Sequence, residues 1–565
     1  MIVLVAPAVA DRRSGGARHA LVQVAQARLM VLMLLFAAGI LLIVARLCML
    51  AWSASPASSR DLAAALTPVR GDIVDRNGAP LARTIDAWSI GVHPAKIIGD
   101  KRELAEALAE LMPERSTADY YRALTSGATF TYLQRRALPE LVNRVNALGE
   151  PGIAFAREPE RLYPQSTIAA HALGMLDFDG RGVTGMEKHL DAQLTNPALR
   201  GAPVALSLDL RVQGALESEL GRSMASFQAA GAAGIILDVD TGEVAAVASL
   251  PSFNPNKMGR GESGILNNVT QSVYELGSTF KPLVVAEGMD TGIVTSMTQR
   301  FDATAPIRIG RFQIRDDHAQ RRGLNIPETL VHSSNIATAR VADAMGQARM
   351  EHLFRKLGFD TAPDIEIEKA KPLWPRNWGR STTLTTAYGH GIAITPLHLA
   401  SAYAAMVNGG IWRPATLLKV DRAPAGRRVF TEATSARMRQ LMRLIVQEGT
   451  GRKGEAPGYR VGAKTGTAEK PGAGGYNKKV NVSTFAAAFP MDAPRYVVIV
   501  MLDSPKGNAE SFGLTTAAWT AAPVVSRVIS RTGPLLGVAP DMNRDIDTSE
   551  LVPLIWRAGP RKPLP

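Results

Sequence analysis

A single long apolar run near the N-terminus constrains this 565-residue chain more than any other feature. Every residue from 29 to 45 is apolar or glycine, and after Arg46 the run continues to Trp52. Inside a bilayer every backbone polar group must be satisfied within the segment itself, so a run of this length crosses as one helix. We therefore predict a transmembrane helix over residues 29–52, which anchors the chain in the inner (cytoplasmic) membrane.

Charges before the apolar run predict the orientation of this helix. The tail of residues 1–28 contains one acidic residue, Asp11, and four arginines: Arg12, Arg13, Arg18 and Arg28. The positive-inside rule keeps this tail in the cytoplasm and exports the rest of the chain to the periplasm. A cleaved signal peptide is the alternative, but its apolar region is too long and Pro56 disfavours cleavage after Ser55.

The composition indicates a folded protein with more than one domain, since 46% of the residues are hydrophobic and 20% are charged. The one cysteine, Cys48, excludes an intramolecular disulfide. The net charge of +13 comes from scattered Lys and Arg without a nucleic-acid motif, so we expect an anionic surface or wall polymer as partner and no nucleic acid. No metal or other cofactor is expected, and His171, alone among alanines, is more typical of a packing residue.

A Ser-x-x-Lys motif lies in the middle of the exported part, where residues 275–282 read ELGSTFKP. Apolar residues follow, so a helix is predicted to begin here with Ser278 and Lys281 on one face of its first turn. A serine hydroxyl becomes a nucleophile only beside a base. Lys281 is placed to be that base, provided that burial or nearby positive charge lowers its pKa.

Two further motifs follow in the order that Ser-x-x-Lys acyl-transfer enzymes require. They are the Ser-x-Asn triplet at residues 333–335 and the Lys-Thr-Gly-Thr run at residues 464–467. Alone, the triplet is typical of a helix cap. The second run is not a phosphate-binding loop, because Ala463 stands where such a loop has glycine. Three motifs in this order indicate serine acyl transfer.

Acyl transfer also needs donors for the negative charge that develops on the attacked carbonyl oxygen. The backbone N–H of Ser278, at a helix N-terminus, is one predicted donor, and the N–H of Thr467 on a facing strand is the other. Gly466 is predicted to be required because a side chain there would block the close approach of that strand.

The remaining motif residues are predicted to carry protons or to bind substrate. Ser333 would pass protons between the basic lysine and the leaving amine, and Asn335 would orient both that lysine and a substrate amide. Lys464 would supply a fixed positive charge that lowers the pKa of the basic lysine. The hydroxyls of Thr465 and Thr467 are expected to hold a substrate carboxylate.

The segment between the anchor and the motifs has the pattern of a mixed, non-catalytic domain, which we assign to residues 53–202. Asn77-Gly78 is a hairpin signal between two extended segments. Helical spacing is present over residues 101–112 and 139–148.

The segment that carries the motifs is assigned to one domain over residues 203–545, followed by a C-terminal tail over residues 546–565. Its strand-like runs flank helical stretches, including one over residues 395–407, which predicts an α/β (α+β) domain with helices packed on a sheet. The predicted strands are residues 204–209, 234–239, 244–248, 464–467, 482–488 and 496–502.

Together with the anchor, the three motifs make the chain resemble the class B penicillin-binding proteins, and in particular their septal (FtsI-like) branch, penicillin-binding protein 3. The resemblance runs from the anchor through most of the chain. Further similar segments are RGDIVDRNG at 70–78, DTGE at 240–243, PSFNPN at 251–256, YGHG at 388–391, NGG at 408–410 and KTGTA at 464–468.

The resemblance implies a serine β-lactamase-like transpeptidase domain with helices packed on an antiparallel sheet, preceded by a mixed α/β pedestal and one transmembrane helix. Two positions depart from the septal branch. Leu276 stands where that branch usually has proline, and Ala487 stands where glycine is common after the last sheet-edge strand. Neither departure removes a reacting group, but the second bears on the fit of the strand beside the site.

The family implies a peptidoglycan D,D-transpeptidase reaction during septal wall synthesis. Ser278 would attack the penultimate D-Ala carbonyl of a stem pentapeptide and pass the acyl group to an amine of a neighbouring stem, and β-lactams would acylate the same serine. The implied protein partners are a SEDS-type (FtsW-like) glycosyltransferase and other divisome proteins. The alternatives are an elongation-type transpeptidase, a D,D-carboxypeptidase, an anchored β-lactamase and an inactive divisome scaffold.

Overall fold

In the computed structural model, the protein is described over residues 12–53, 69–177, 179–257, 266–310, 312–472 and 475–557. Its first element is helix α1, Arg12–Ser53. Within this helix, Gln23–Met49 is the one stretch of the described residues that is long and apolar enough to cross a membrane. The apolar helix predicted from the sequence is therefore present, although it begins well before residue 29.

The region after this helix is built on a five-stranded sheet with three helices. Its strands are β1 (Ile73–Val74), β2 (Pro80–Val92), β3 (Thr131–Ala137), β4 (Ile153–Leu162) and β5 (Val204–Ala205). The helices are α2 (Lys101–Leu111), α3 (Thr117–Leu124) and α4 (Pro139–Asn146). Strand β2 pairs antiparallel with β1, β3 and β4, and β5 joins β1 in parallel. Both helices predicted in this region are present as α2 and α4.

The hairpin predicted at Asn77-Gly78 joins β1 to β2, but its loop spans residues 75–79 because Val74 pairs with Pro80. The carboxylate of Asp75 accepts hydrogen bonds from the backbone N–H groups of Asn77 and Ala79, both at 2.8 Å. An aspartate that bonds to the backbone two residues on closes a turn by itself. This side chain explains why the loop is longer than the two residues that Asn-Gly suggests.

Three short helices lead to the next region: α5 (Ala170–Leu173), α6 (Gly185–His189) and α7 (Asp191–Thr195). Glu187 of α6 is wholly buried, with the guanidinium groups of Arg70 and Arg161 each at 2.7 Å. Buried charges require such pairing. His171 of α5 is buried with its ring edge-on to that of Phe253, so it packs as the sequence predicts.

A second five-stranded sheet organises the motif-bearing region. The strands of this region are β6 (Gly231–Asp238), β7 (Val244–Leu250), β8 (Phe301–Asp302), β9 (Ile307–Ile309), β10 (Phe312–Ile314), β11 (Gly323–Leu324), β12 (Ile411–Trp412), β13 (Arg427–Arg428), β14 (Gly462–Gly472), β15 (Gly475–Phe489) and β16 (Tyr496–Asp503). The large sheet has the order β14–β15–β16–β6–β7, and every neighbouring pair is antiparallel. Five of the six predicted strands lie in it, so the predicted fold is confirmed. The strand predicted over residues 204–209 is only Val204–Ala205, and it pairs with β1 of the first sheet. Strand β14, which carries the Lys-Thr-Gly motif, is an edge strand.

Helices cover both faces of the large sheet. They are α8 (Leu210–Ser226), α9 (Lys281–Asp290), α10 (Ile326–Val331), α11 (Asn335–Met345), α12 (Gln347–Lys356), α13 (Arg380–Thr386), α14 (Pro396–Val407), α15 (Glu432–Glu448) and α16 (Ala521–Thr532). One face carries α8 and α16, and the other carries α14, with a buried apolar core on each side. Helix α14 is buried along its whole length and matches the helix predicted over residues 395–407.

Candidate active site

Ser278 lies in a 3-10 turn, Gly277–Phe280, that leads directly into α9. The sequence predicts an α-helix that includes Ser278 in its first turn, whereas the α-helix begins at Lys281. Gly277 has a φ of +58°, a conformation that favours glycine. Ser278 is half-buried and Lys281 is wholly buried, so an accessible hydroxyl stands one turn from an enclosed amine.

Contacts from distant parts of the chain hold this turn. The hydroxyl of Tyr403 in α14 donates a hydrogen bond to the carbonyl oxygen of Thr279 at 2.7 Å. Gly389 lies so close that a Cβ on it would be 2.2 Å from the carbonyl oxygen of Gly277. Leu276, the first departure from the septal branch, is buried in the core on the α14 side of the large sheet, named here the main core, so packing accommodates it.

The three motifs meet at the hydroxyl of Ser333. Its Oγ accepts hydrogen bonds from Nζ of Lys464 at 2.8 Å and from Nζ of Lys281 at 3.1 Å. Lys281 also donates to the carbonyl oxygen of Ser333. Among the residues that the structure describes, no hydrogen bond joins Lys281 to the hydroxyl of Ser278. The predicted base is therefore paired with Ser333, and contacts between nucleophile and base often tighten only when substrate binds.

Burial lowers the pKa of both lysines. It brings the pKa of Lys281 to about 7, against the opposing charges of Asp316 and Asp317. Burial also lowers the pKa of Lys464 well below its ordinary value, and the positive charge of Lys281 lowers it further. The sequence predicts that the positive charge of Lys464 lowers the pKa of Lys281. In the structure, burial is the main cause of the lowered pKa of Lys281. The charge repulsion between the two amines, which are enclosed beside one hydroxyl, instead lowers the pKa of Lys464.

The Ser-x-Asn triplet lies at the junction of α10 and α11. Ser333 has a φ of +56°, in the left-handed region that residues with side chains rarely adopt. Ser334 is the N-cap of α11, and its Oγ accepts a hydrogen bond from the backbone N–H of Ala337 at 3.0 Å. The helix-cap interpretation is therefore correct for Ser334. Asn335 donates through Nδ2 to the carbonyl oxygen of Arg315 at 2.8 Å, and no hydrogen bond within the described residues joins it to the basic lysine.

Strand β14 runs past the 3-10 turn that carries Ser278, named here the nucleophile turn. A Cβ on Gly466 would lie 2.4 Å from the carbonyl oxygen of Leu276 and 2.8 Å from Cγ2 of Thr279, so the predicted close approach is confirmed. The carbonyl of Thr467 faces the turn, 3.0 Å from where a Cβ on Gly277 would be. In an antiparallel strand the N–H and C=O of one residue point to the same edge. The N–H of Thr467 therefore also faces the turn that carries the serine.

The threonine hydroxyls of β14 have fixed partners outside the motifs. Oγ1 of Thr465 lies 3.0 Å from Oγ1 of Thr450, which follows α15. Oγ1 of Thr467 accepts the N–H of Ala517 at 3.1 Å and keeps its own proton to donate. Neither Thr450 nor Ala517 could be identified from the sequence, because neither lies in a motif and only the tertiary fold brings them to β14.

Ala487, the second departure from the septal branch, lies away from the reacting groups. It is on β15, opposite Ala463 of β14 and Val498 of β16. Its side chain is wholly buried in the core that α8 and α16 cover. An alanine at this position affects the interior of the sheet and not the edge beside Ser278.

Comparison with known proteins agrees with this fold and site. The chain matches the penicillin binding protein transpeptidase domain over residues 232–526 and the penicillin-binding protein dimerisation domain over residues 65–196. It is 42% identical to the probable peptidoglycan D,D-transpeptidase FtsI of Caulobacter vibrioides, over 83% of this chain and 82% of that protein. It is 30% identical to the peptidoglycan D,D-transpeptidase FtsI of Escherichia coli K12, over 86% of each chain.

Among solved structures, the fold is similar to penicillin binding protein 3 of Mycobacterium tuberculosis complexed with aztreonam, with a TM-score of 0.67 and 25% identity over 84% of this chain and 98% of that one. The fold and site define a serine acyl-transfer enzyme with a penicillin-binding transpeptidase domain. The chain belongs to the class B penicillin-binding proteins, in which a dimerisation domain precedes that domain.

Proposed function

We propose that this protein is a serine-type peptidoglycan D,D-transpeptidase that cross-links stem peptides through an acyl-enzyme on Ser278. The transpeptidase domain and the relatives named peptidoglycan D,D-transpeptidase support this activity. The observation that carries the proposal is the pair of buried lysines, Lys281 and Lys464, that share the hydroxyl of Ser333. Lys281 lies one turn from Ser278. A buried amine whose pKa is near 7 can accept and return a proton at neutral pH.

In the acylation step, Oγ of Ser278 bonds to the carbonyl carbon of the penultimate D-Ala, and its proton moves to the neutral Nζ of Lys281. The carbonyl oxygen becomes an oxyanion, which the N–H groups of Ser278 and Thr467 stabilise. Collapse of this intermediate breaks the C–N bond to the terminal D-Ala. The leaving nitrogen receives the proton from Lys281 through the hydroxyl of Ser333.

In the second step, the amine of a neighbouring stem attacks the acyl-enzyme. The proton of the amine passes to Lys281 and then to Oγ of Ser278 as the ester bond breaks, which restores the enzyme. Water in place of the amine gives hydrolysis, which is the carboxypeptidase reaction. The choice between the two products therefore depends on the acceptor and not on the acylating residues.

The substrate carboxylate is held by the hydroxyls of Thr465 and Thr467. Nζ of Lys464 donates to the carbonyl oxygen of Thr465 at 3.0 Å and to the hydroxyl oxygen of Thr465 at 3.3 Å. A proton on Lys464 therefore stabilises a carboxylate bound at this threonine. Oδ1 of Asn335 accepts a hydrogen bond from a substrate amide N–H, because Nδ2 of Asn335 already donates to the carbonyl oxygen of Arg315.

Exposure of the purified full-length protein to a fluorescent penicillin and to stem pentapeptides tests the proposal. We expect a lasting covalent adduct, and we expect each cross-linked peptide dimer to be matched by one released D-Ala. Continuous turnover of penicillin would assign a β-lactamase instead. Release of D-Ala without dimers, in the presence of acceptor stems, would assign a carboxypeptidase.

We further propose that the protein is a single-pass inner-membrane protein at the division septum, with residues 1–28 in the cytoplasm and the catalytic region in the periplasm. The arginines among residues 12–28 support the orientation, and relatives named FtsI support the septal role. A SEDS-type (FtsW-like) glycosyltransferase is the expected partner, together with other divisome proteins. The alternative is an elongation-type transpeptidase at the side wall, so a fluorescent fusion must separate septum from side wall.

A further inference from the structure

Residues 545–557, named here the C-terminal strap, lie against α15 and α10. Asp545 accepts a hydrogen bond from Nη2 of Arg443 in α15 at 2.7 Å. The backbone carbonyl of Asp547 accepts from the side chain of Gln440 at 2.9 Å. Leu551 of the strap is 1% exposed and belongs to the main core. The described part of the predicted C-terminal tail, residues 546–557, is therefore packed on the domain.

The strap reaches the N-terminal cap of α10. This cap is reciprocal: the side chain of Asn325 accepts the N–H of Glu328 at 2.9 Å, and the Glu328 carboxylate accepts the N–H of Asn325 at 3.1 Å. The strap adds two bonds to the same pair. Nδ2 of Asn325 donates to the carbonyl oxygen of Leu554 at 2.8 Å, and the N–H of Trp556 donates to Oε1 of Glu328 at 3.0 Å.

Glu328 depends on these donors because its side chain is wholly buried. Arg322 forms an ion pair with it at 2.8 Å and also stacks over the ring of Trp556, 5.1 Å from the ring centre. A buried carboxylate that loses a donor is strongly destabilised where it stands. Loss of the strap would therefore change the position of Glu328 and, with it, the first turn of α10.

Helix α10 ends immediately before the hydroxyl that the two lysines share. The N–H of Ser333 donates to the carbonyl oxygen of Leu330 at 3.2 Å, and that of Ser334 donates to Thr329 at 2.9 Å. The helix has only six residues, so a shift of its first turn is not absorbed before Ser333. The left-handed φ of Ser333 also requires support from its surroundings.

We propose that the C-terminal strap positions Ser333 for acyl transfer by completing the N-terminal cap of α10, with Leu554 and Trp556 as positioning residues. The inference rests on the proposed role of Ser333 as the proton carrier. Reacting groups displaced by about 1 Å can lose on the order of 10²-fold in rate. A displaced Ser333 also opens the two lysines to water, which raises the pKa of Lys281 toward its ordinary value.

Two variants remove the strap bonds from opposite sides. Trp556→Pro removes the N–H that bonds to Glu328, while Trp556→Ala loses the same ring but keeps that N–H. Asn325→Ser keeps a side-chain oxygen that caps the helix and loses only the Nδ2 donor to Leu554. The matched control within the strap is Glu550→Ala, whose partner Arg437 is on α15 and not on α10.

The measurement is acylation of each full-length protein by a reporter β-lactam, resolved into affinity and first-order acylation rate across the pH range, with thermal unfolding alongside. We expect Trp556→Pro and Asn325→Ser to slow the first-order step by roughly tenfold, with affinity unchanged and the rise in rate shifted to higher pH. Trp556→Ala should lose less, and Glu550→Ala should match the wild type.

Two results would overturn the inference. One is a wild-type rate and pH profile in both Trp556→Pro and Asn325→Ser. The other is a loss of acylation rate in Glu550→Ala equal to the loss in those two variants. If Trp556→Pro fails to fold, Asn325→Ser decides the outcome alone, because its cap is retained. A wild-type protein that is not acylated at all would instead refute the proposed function, so the two failures are distinct.

Discussion

Nζ of Lys464 lies 2.8 Å from Oγ of Ser333, although the two residues are 131 positions apart in the chain. Lys281 approaches the same oxygen from the other motif at 3.1 Å. Both lysines are wholly buried, and two enclosed ammonium groups beside one hydroxyl repel each other. This arrangement favours a neutral amine near pH 7, which is what a lysine base requires.

The rate of acylation should therefore rise with pH through about 7. Burial lowers the pKa of Lys281 to about 7, so the amine is protonated and inactive below that pH and is a neutral base above it. We expect the second-order rate with a reporter β-lactam to be roughly tenfold higher at pH 8 than at pH 6. A rate that is flat or falls over this interval would contradict the assignment of Lys281 as the base.

Charge-preserving substitutions should separate the two lysines. Lys281→Arg retains positive charge but cannot act as a base at neutral pH, so acylation should fall by about 10²–10⁴-fold. Lys464→Arg keeps the charge near Thr465 and should lose less, within the limits of fitting a larger group into a buried site. Both rates are measured with the same β-lactam. A larger loss at Lys464 would reverse the assigned roles.

Gly466→Ala should slow acylation without unfolding the protein. The new Cβ would meet the carbonyl oxygen of Leu276 at 2.4 Å, which pushes β14 and the N–H of Thr467 away from the nucleophile turn. Loss of one oxyanion donor typically costs about 10²–10³-fold in rate. Gly379→Ala is the control, since no atom of the described residues lies within 4 Å of its added Cβ. Equal rates for the two variants would show that β14 does not supply the donor.

The region after the apolar segment should be digested by protease added to spheroplasts, while a cytoplasmic marker protein stays intact. This outcome follows from the four arginines that precede the apolar run beginning at residue 29. Immunoblotting against the transpeptidase domain is the readout. Protection of that domain until the membrane is permeabilised would reverse the orientation.

Much of the fold could be predicted because its signals are local. Four of the five strands of the large sheet stand out as apolar or β-rich runs, and the fifth, β14, is indicated by its Lys-Thr-Gly motif. Helix α14 carries its own cap at Thr395. The three motifs are likewise local patterns whose order is read directly. The close approach at Gly466 could be anticipated because only glycine leaves room for two backbones in contact.

What the sequence did not predict depends on contacts between distant segments. Ser278 lies in a 3-10 turn because Gly389 and Tyr403, more than a hundred residues later, pack against that turn. Lys281 pairs with Ser333, and Asn335 with Arg315, because the fold determines which partners are within reach. No local pattern reports such distances.

The most direct test of the account is the site at which penicillin becomes attached. After labelling of the full-length protein, mass spectrometry of the digested adduct should find the penicilloyl group on Ser278 alone. Ser278→Ala should abolish labelling and leave thermal unfolding unchanged, while Ser296→Ala, at an exposed serine outside the site, should label as the wild type does. An adduct on another serine, or labelling that persists in Ser278→Ala, would contradict the account.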